Sequence, residues 1–182
     1  LERLAQRSDM PTVYLHVSHI LLERAHLFRW LAGPATKTAF FLHDTIPVDY
    51  PEFCGERSAM ENLARIRVMS ARGDLILANS QSTAASLRRL QAREGLNSPP
   101  VQVVPLSGAI PVGAQDASPV PQAGRPYFLC AGTIEGRKNV GFLLNVWRRL
   151  VQDLPPEQVP RLVVAGERGW ACEDVLAALD RS

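Results

Sequence analysis

Two adjacent cations, Arg137 and Lys138, stand in the turn Gly132-Thr-Ile-Glu-Gly-Arg-Lys-Asn139. The apolar run Phe128–Ala131 precedes this turn and the amphipathic stretch Val140–Leu150 follows it. That is the pattern of a strand, a tight glycine-containing turn and a helix. A helix N-terminus carries roughly half a positive charge, and the guanidinium and ammonium add their own. Backbone N–H groups, a helix start and two cations together suit a diphosphate. The same residues also fit a solvated turn with two surface cations, because neither a Walker A nor a G-x-G-x-x-G spacing is present. Further polar clusters fall at the ends of apolar runs: His16–His19, His43–Asp44, Asn79–Ser80 and Gly166–Arg168. In open α/β sheets ligands bind beyond the carboxyl ends of strands, so these positions are expected to line one cleft.

The elements that must hold these residues follow from hydrophobic spacing. Strands are predicted over Thr12–Val17, Thr38–Leu42, Asp74–Ala78, Val101–Val104, Tyr127–Ala131 and Arg161–Ala165. Helices are predicted over Leu21–Leu31, stopping at Gly33-Pro34, over Ser58–Ala71, ended by Gly73, and from Asn79–Thr83 to about Glu94, with Gly95 as the stop. Two more are predicted over Phe142–Val151 and Cys172–Leu179, and His43–Pro47 reads as a polar turn. Strands apolar on both faces, alternating with helices, indicate parallel sheets covered on both sides. From Pro105 to Pro126 the rhythm stops in favour of proline and glycine, as in a linker. The fold class is therefore α/β, with parts of two Rossmann-like domains. The first spans residues 1–108, the linker 109–125, and the second begins at 126.

Composition narrows the function. The chain has 182 residues and a formal net charge of +2, without a basic run or an aromatic-studded basic stripe, which argues against a nucleic-acid partner. Its longest apolar stretches have strand length, so no membrane span is expected. Cys54, Cys130 and Cys172 are widely spaced and odd in number. They fit no zinc or redox spacing, and reduced, mostly buried thiols in a cytoplasmic protein are expected. Helical patterns run into both ends, as in a piece of a longer protein, so exposed sheet edges and apolar faces with poor solubility in isolation are expected.

Five segments in order carry a family resemblance: Phe41-Leu-His-Asp-Thr-Ile-Pro47 with Tyr50-Pro-Glu52, Asp74-Leu-Ile-Leu-Ala-Asn-Ser80, Val103-Val-Pro-Leu-Ser-Gly108, Gly132–Asn139, and Leu162-Val-Val-Ala-Gly166 with Gly169-Trp170. With these the chain resembles the retaining glycosyltransferases of family 4, of GT-B architecture. The resemblance implies that residues up to the linker are the later part of an N-terminal, acceptor-side domain. Residues from 126 on would open the nucleotide-sugar domain. Two family features, a Gly-rich loop early in the N-terminal domain and a pair of Glu residues separated by seven positions, would lie outside these 182 residues.

What the resemblance implies for the residues is specific. Arg137 and Lys138 would bind the donor diphosphate, with Thr133 contacting phosphate and Gly132 leaving room for the ligand. His43 would reach the donor sugar and orient its anomeric carbon; otherwise it caps the strand end against Asp44. Asp44 would orient His43 or tie the following turn. His19 would line the acceptor pocket or be structural; Ser80 reads as a helix N-cap and Trp170 as packing. The implied activity is transfer of a hexose, with mannose from GDP-mannose the first candidate, to a glycan or lipid-linked glycan in polysaccharide biosynthesis. The nucleoside-diphosphate sugar is a substrate, and no cofactor or metal is implied. The enzyme would be cytoplasmic, with peripheral membrane contact where the acceptor is lipid-linked, and these 182 residues alone would be inactive. The alternatives are a non-catalytic GT-B-like partner subunit and a GT-B-like sugar-nucleotide epimerase.

Overall fold

The computed structural model describes residues 12–32, 36–55, 57–108, 126–170 and 172–181. The linker expected over 109–125 and the Gly33-Pro34 stop lie outside them. The chain divides into two compact units, Leu1–Gly108 and Ala109–Ser182, each α/β with its own parallel sheet.

In the first unit, β1 (Thr12–His16), β2 (Thr36–Leu42), β3 (Leu75–Ala78) and β4 (Val101–Val103) lie side by side in chain order, all parallel. Between them run α1 (Ile46–Asp49), α2 (Ser58–Arg72) and α3 (Gln81–Arg93). The core gathers Phe40 and Ile76 from the sheet, Leu22 and Phe28 from the β1–β2 connection, Ile66 and Met69 from α2, and Leu87 and Leu90 from α3. Each fully buried side chain of this size is worth about 1.5–3 kcal/mol of transfer free energy. Register decides what stands beside what. Leu42 pairs with Ala78 and His16 with Phe40, so His43, Asn79 and the chain leaving β1 come together at one end of the sheet.

Several expectations are corrected here. The periodic stretch Leu21–Leu31 is a turn followed by a 3-10 helix, Ala25–Ala32, with Leu21 at φ +64°. Apolar positions three apart satisfy the three-residue turn as well as the 3.6-residue one. The polar turn expected over His43–Pro47 gives way at Ile46 to the one-turn α1. Pro47 opens that helix without cost, because its missing N–H falls among those an α-helix leaves unpaired. Cover is also incomplete. Val13 and Leu15 alternate outward on the edge strand β1 and are more than half exposed.

In the second unit, β5 (Tyr127–Ala131) pairs in parallel with β6 (Arg161–Ala165), with α4 (Val140–Asp153) and α5 (Glu173–Leu179) beside them. Its buried hydrophobic cluster is small: Ile134, Val140 and Cys172, with Val164 and Leu176 partly covering it. Phe128 and Leu129 are neighbours that point to opposite faces of β5, and both are exposed. Cys172 is buried and its thiol donates to the Ile134 carbonyl at 3.0 Å, while Cys54 and Cys130 are half-buried; none of the three is in a disulfide. Among the described residues no helix is long and apolar enough to cross a membrane.

Candidate functional sites at the strand ends

His43 leaves β2 directly and is exposed. Its Nε2 lies 3.0 Å from the Val17 carbonyl at the end of β1. A carbonyl only accepts, so Nε2 carries the proton and donates; in the neutral ring Nδ1 is then the free acceptor. The ring leans on Phe41, with centroids 4.9 Å apart. The expected Asp44 partnership takes the second of its two forms. Asp44 Oδ1 accepts from the Ile46 N–H at 3.0 Å and ties the turn rather than the imidazole.

A hydroxyl cluster holds the backbone of His43. Ser80 is the N-cap of α3, and its Oγ accepts the Thr83 N–H at 3.1 Å. Thr83, itself buried, shares its one hydroxyl proton between Asn79 Oδ1 at 2.8 Å and the His43 carbonyl at 3.3 Å. Thr83 is thus a positioning residue that sequence reasoning missed. The N-cap spacing of Ser80 and Thr83 was visible, but the contact to His43 spans 40 positions.

Beside His43 lies a pocket of about 200 Å³ between the end of β2 and α2, with His19 and Asn62 in its wall. His16, by contrast, packs inward against Phe28 and Phe40 and hydrogen-bonds the Tyr14 hydroxyl at 2.7 Å through Nδ1. Burial chiefly lowers its pKa, which keeps it neutral.

The turn after β5 is built on close backbone approach to the loop after β6. Gly132 has φ +133°, a conformation that favours glycine. A β-carbon on Gly166 would stand 1.9 Å from the Gly132 carbonyl oxygen, so only hydrogen fits there. The ladder continues past the strands. The N–H groups of Gly132, Ile134 and Gly136 donate to the carbonyls of Ala165, Glu167 and Trp170. Those of Lys138 and Asn139 donate to Glu135 and Gly136. The backbone donors expected to face a ligand are therefore largely spent inside the protein.

The two cations differ. The Arg137 guanidinium pairs with the carboxylate of Glu135, which is buried. Lys138 is exposed, forms no ion pair among the described residues, and carries its stem past Gly132: Cε would lie 3.9 Å from a β-carbon placed there. Asn139, at φ +51°, then starts α4 without a side-chain cap. Thr133 is half-buried, and Trp170 is half-exposed while its carbonyl joins the ladder. Glu135 is the residue missed here. An acid two places before an arginine was legible, but its burial was not, since that depends on the loop after β6.

Among the described residues no three His, Cys, Asp or Glu side chains gather as metal ligands would. No family model matches the chain, and no curated protein matches it.

Proposed function

We propose that the chain is part of a retaining glycosyltransferase of GT-B type that moves a hexose from a nucleoside-diphosphate sugar to a glycan or lipid-linked glycan. The observation that carries the reading is Lys138. It forms no ion pair among the described residues, and its stem runs past Gly132, at the carboxyl end of β5 and the start of the 14-residue helix α4. A cation and a helix start stabilise negative charge that grows on a departing diphosphate. Arg137 contributes through its neighbour. Held by buried Glu135, it braces the turn and offers a ligand only the donors which that carboxylate leaves free. Thr133 and Gly132 complete the diphosphate turn.

In the first unit, His43 is the residue assigned to the sugar. With Nε2–H on the Val17 carbonyl, Nδ1 is the atom that accepts a sugar hydroxyl. The donor is GDP-mannose in the first instance, and the enzyme works in the cytoplasm, touching the membrane where its acceptor is lipid-linked. One observation favours the second reading, a non-catalytic partner subunit: the pairing of Arg137 with Glu135 removes a cation from the turn.

The test is a screen of the full protein against nucleotide sugars for release of the nucleoside diphosphate. The enzyme reading expects release with one donor and its loss in Lys138→Ala. The partner reading expects none with any donor.

A further inference from the structure

Glu135 is an acid buried in the turn whose proposed ligand is an anion. Its side chain is 4% exposed and its carboxylate pairs with the Arg137 guanidinium; among the described residues no second cation pairs with it. The backbone fixes this acid from both sides. The Ile134 N–H donates to the Glu167 carbonyl at 2.8 Å, and the Gly136 N–H to the Trp170 carbonyl at 3.2 Å. The Glu135 carbonyl accepts the Lys138 N–H at 2.9 Å and closes the 3-10 turn Gly136–Lys138. The loop after β6 packs against it, since a β-carbon on Gly169 would lie 3.2 Å from Glu135 Cβ.

This arrangement decides what Arg137 can do. Removing the partner of a buried charge costs far more than an exposed ion pair gains. Arg137 therefore stays on Glu135 when a ligand arrives and does not swing away to meet it. A guanidinium carries five N–H donors in a rigid fork. Here Nη2 makes the contact to the carboxylate, and Nη1 and Nε have no hydrogen bond among the described residues. The Arg137 side chain is 36% exposed, so a ligand can reach it while the pair stays closed. Lys138 is the opposite case, a flexible stem with no ion pair among the described residues to hold its ammonium.

We propose that Glu135 is a positioning residue: it locks the Arg137 guanidinium in one orientation, from which the remaining N–H groups bind a phosphate oxygen, and it touches no ligand itself. The inference deepens the glycosyltransferase reading and rests on it for naming the anion a donor diphosphate. Charge and position make opposite demands on Glu135. By Coulomb's law alone a buried carboxylate repels a nearby anion, so neutralising it would tighten anion binding. In a positioning role the same neutralisation weakens it.

The experiment titrates the full protein with inorganic pyrophosphate, a diphosphate without base or sugar, by calorimetry. Glu135→Gln keeps the shape and an acceptor but removes the charge. It should weaken pyrophosphate about tenfold, the scale of one charge-assisted hydrogen bond, although the protein gains net positive charge. Arg137→Lys should weaken it by as much alone and add little to Glu135→Gln, because a fork that is no longer held has little left to lose. NMR of the Arg137 Nε–H in the wild type needs no variant. That signal should be single and sharp before pyrophosphate is added and should shift at saturation. Unchanged or tighter binding in a folded Glu135→Gln, additive losses in the double variant, a motionally averaged Arg137 signal in the free protein, or no pyrophosphate binding at all would overturn the proposal. The two readings separate. Pyrophosphate binding that depends on Lys138 and not on Glu135 removes this inference alone. Coupling between Glu135 and Arg137 in a protein that uses no nucleotide sugar removes the glycosyltransferase reading alone.

Discussion

The two units are built by the same alternation of strand and helix, yet they hold their residues by different means. In the first, four strands and the flanking helices bury a continuous apolar cluster from Leu22 to Leu90. In the second, two strands bury only Ile134, Val140 and Cys172, and Phe128 and Leu129 stay exposed. Order in the second unit comes instead from backbone: a ladder that runs on through Gly132, Ile134 and Gly136, and a glycine contact at Gly166 that admits no side chain. A βα repeat is thus a local pattern, while burial depends on how many repeats stack. The candidate residues follow this division. His43 sits on a packed frame and is tied by Val17 and Thr83, whereas Lys138 sits on a hydrogen-bonded turn over a thin core.

The largest expected effect separates the two cores. Phe40→Ala should cost about 3–5 kcal/mol in denaturant unfolding, because it empties a fully buried site. Phe128→Ala, at an exposed site that still touches Trp147, should cost no more than about 1 kcal/mol. Comparable losses at the two positions would mean that the second unit is covered as well as the first.

Gly166→Ala comes next. The added carbon collides with the Gly132 carbonyl, and overpacking of this kind costs about 1–3 kcal/mol. Amide exchange should accelerate in the ladder from Gly132 to Gly136 and stay unchanged in β2 and β3. Gly108→Ala meets open space and should change neither. If Gly166→Ala leaves the ladder protected, the close approach is not what orders the turn.

The smallest effect concerns the entry of β2. Asp74 accepts from Lys37 at 2.8 Å and from the Thr38 N–H at 2.9 Å. The Lys37 hydrogen bond first, then the Thr38 N–H, holds its carboxyl below the usual aspartate range. A depressed folded pKa stabilises the protein fully above the ordinary aspartate pKa, and that share is lost as the pH falls through the lower folded value. The pair is exposed and screened, so the gain is at most about 1 kcal/mol. The difference in unfolding temperature between wild type and Asp74→Asn should shrink across that acidic window. A difference that persists below it would assign the effect to shape and not charge.

Much of the frame was legible because it is local. The apolar runs at Phe40, Ile76 and Val163 are strands wherever they fold, and Ser80 announces a helix start through its own hydroxyl. The 3-10 segment was misread because its apolar spacing fits two helical periods. The site was less legible because its contacts are long-range. Register across β1 and β2 brings Val17 to His43, and the loop after β6 buries Glu135 under Arg137.

The central claim is that Lys138 neutralises a departing diphosphate, and the most direct measurement is nucleoside-diphosphate release from a nucleotide sugar by the full protein, wild type against Lys138→Ala and Arg137→Ala. Lys138→Ala should lose roughly 30- to 1,000-fold in turnover, the 2–4 kcal/mol expected when one preorganised charge-stabilising group is removed, with its unfolding temperature unchanged. Arg137→Ala should also lower stability, because it strands the buried Glu135 carboxylate. Near-native turnover and diphosphate affinity in Lys138→Ala would contradict the account and leave the turn as a surface loop.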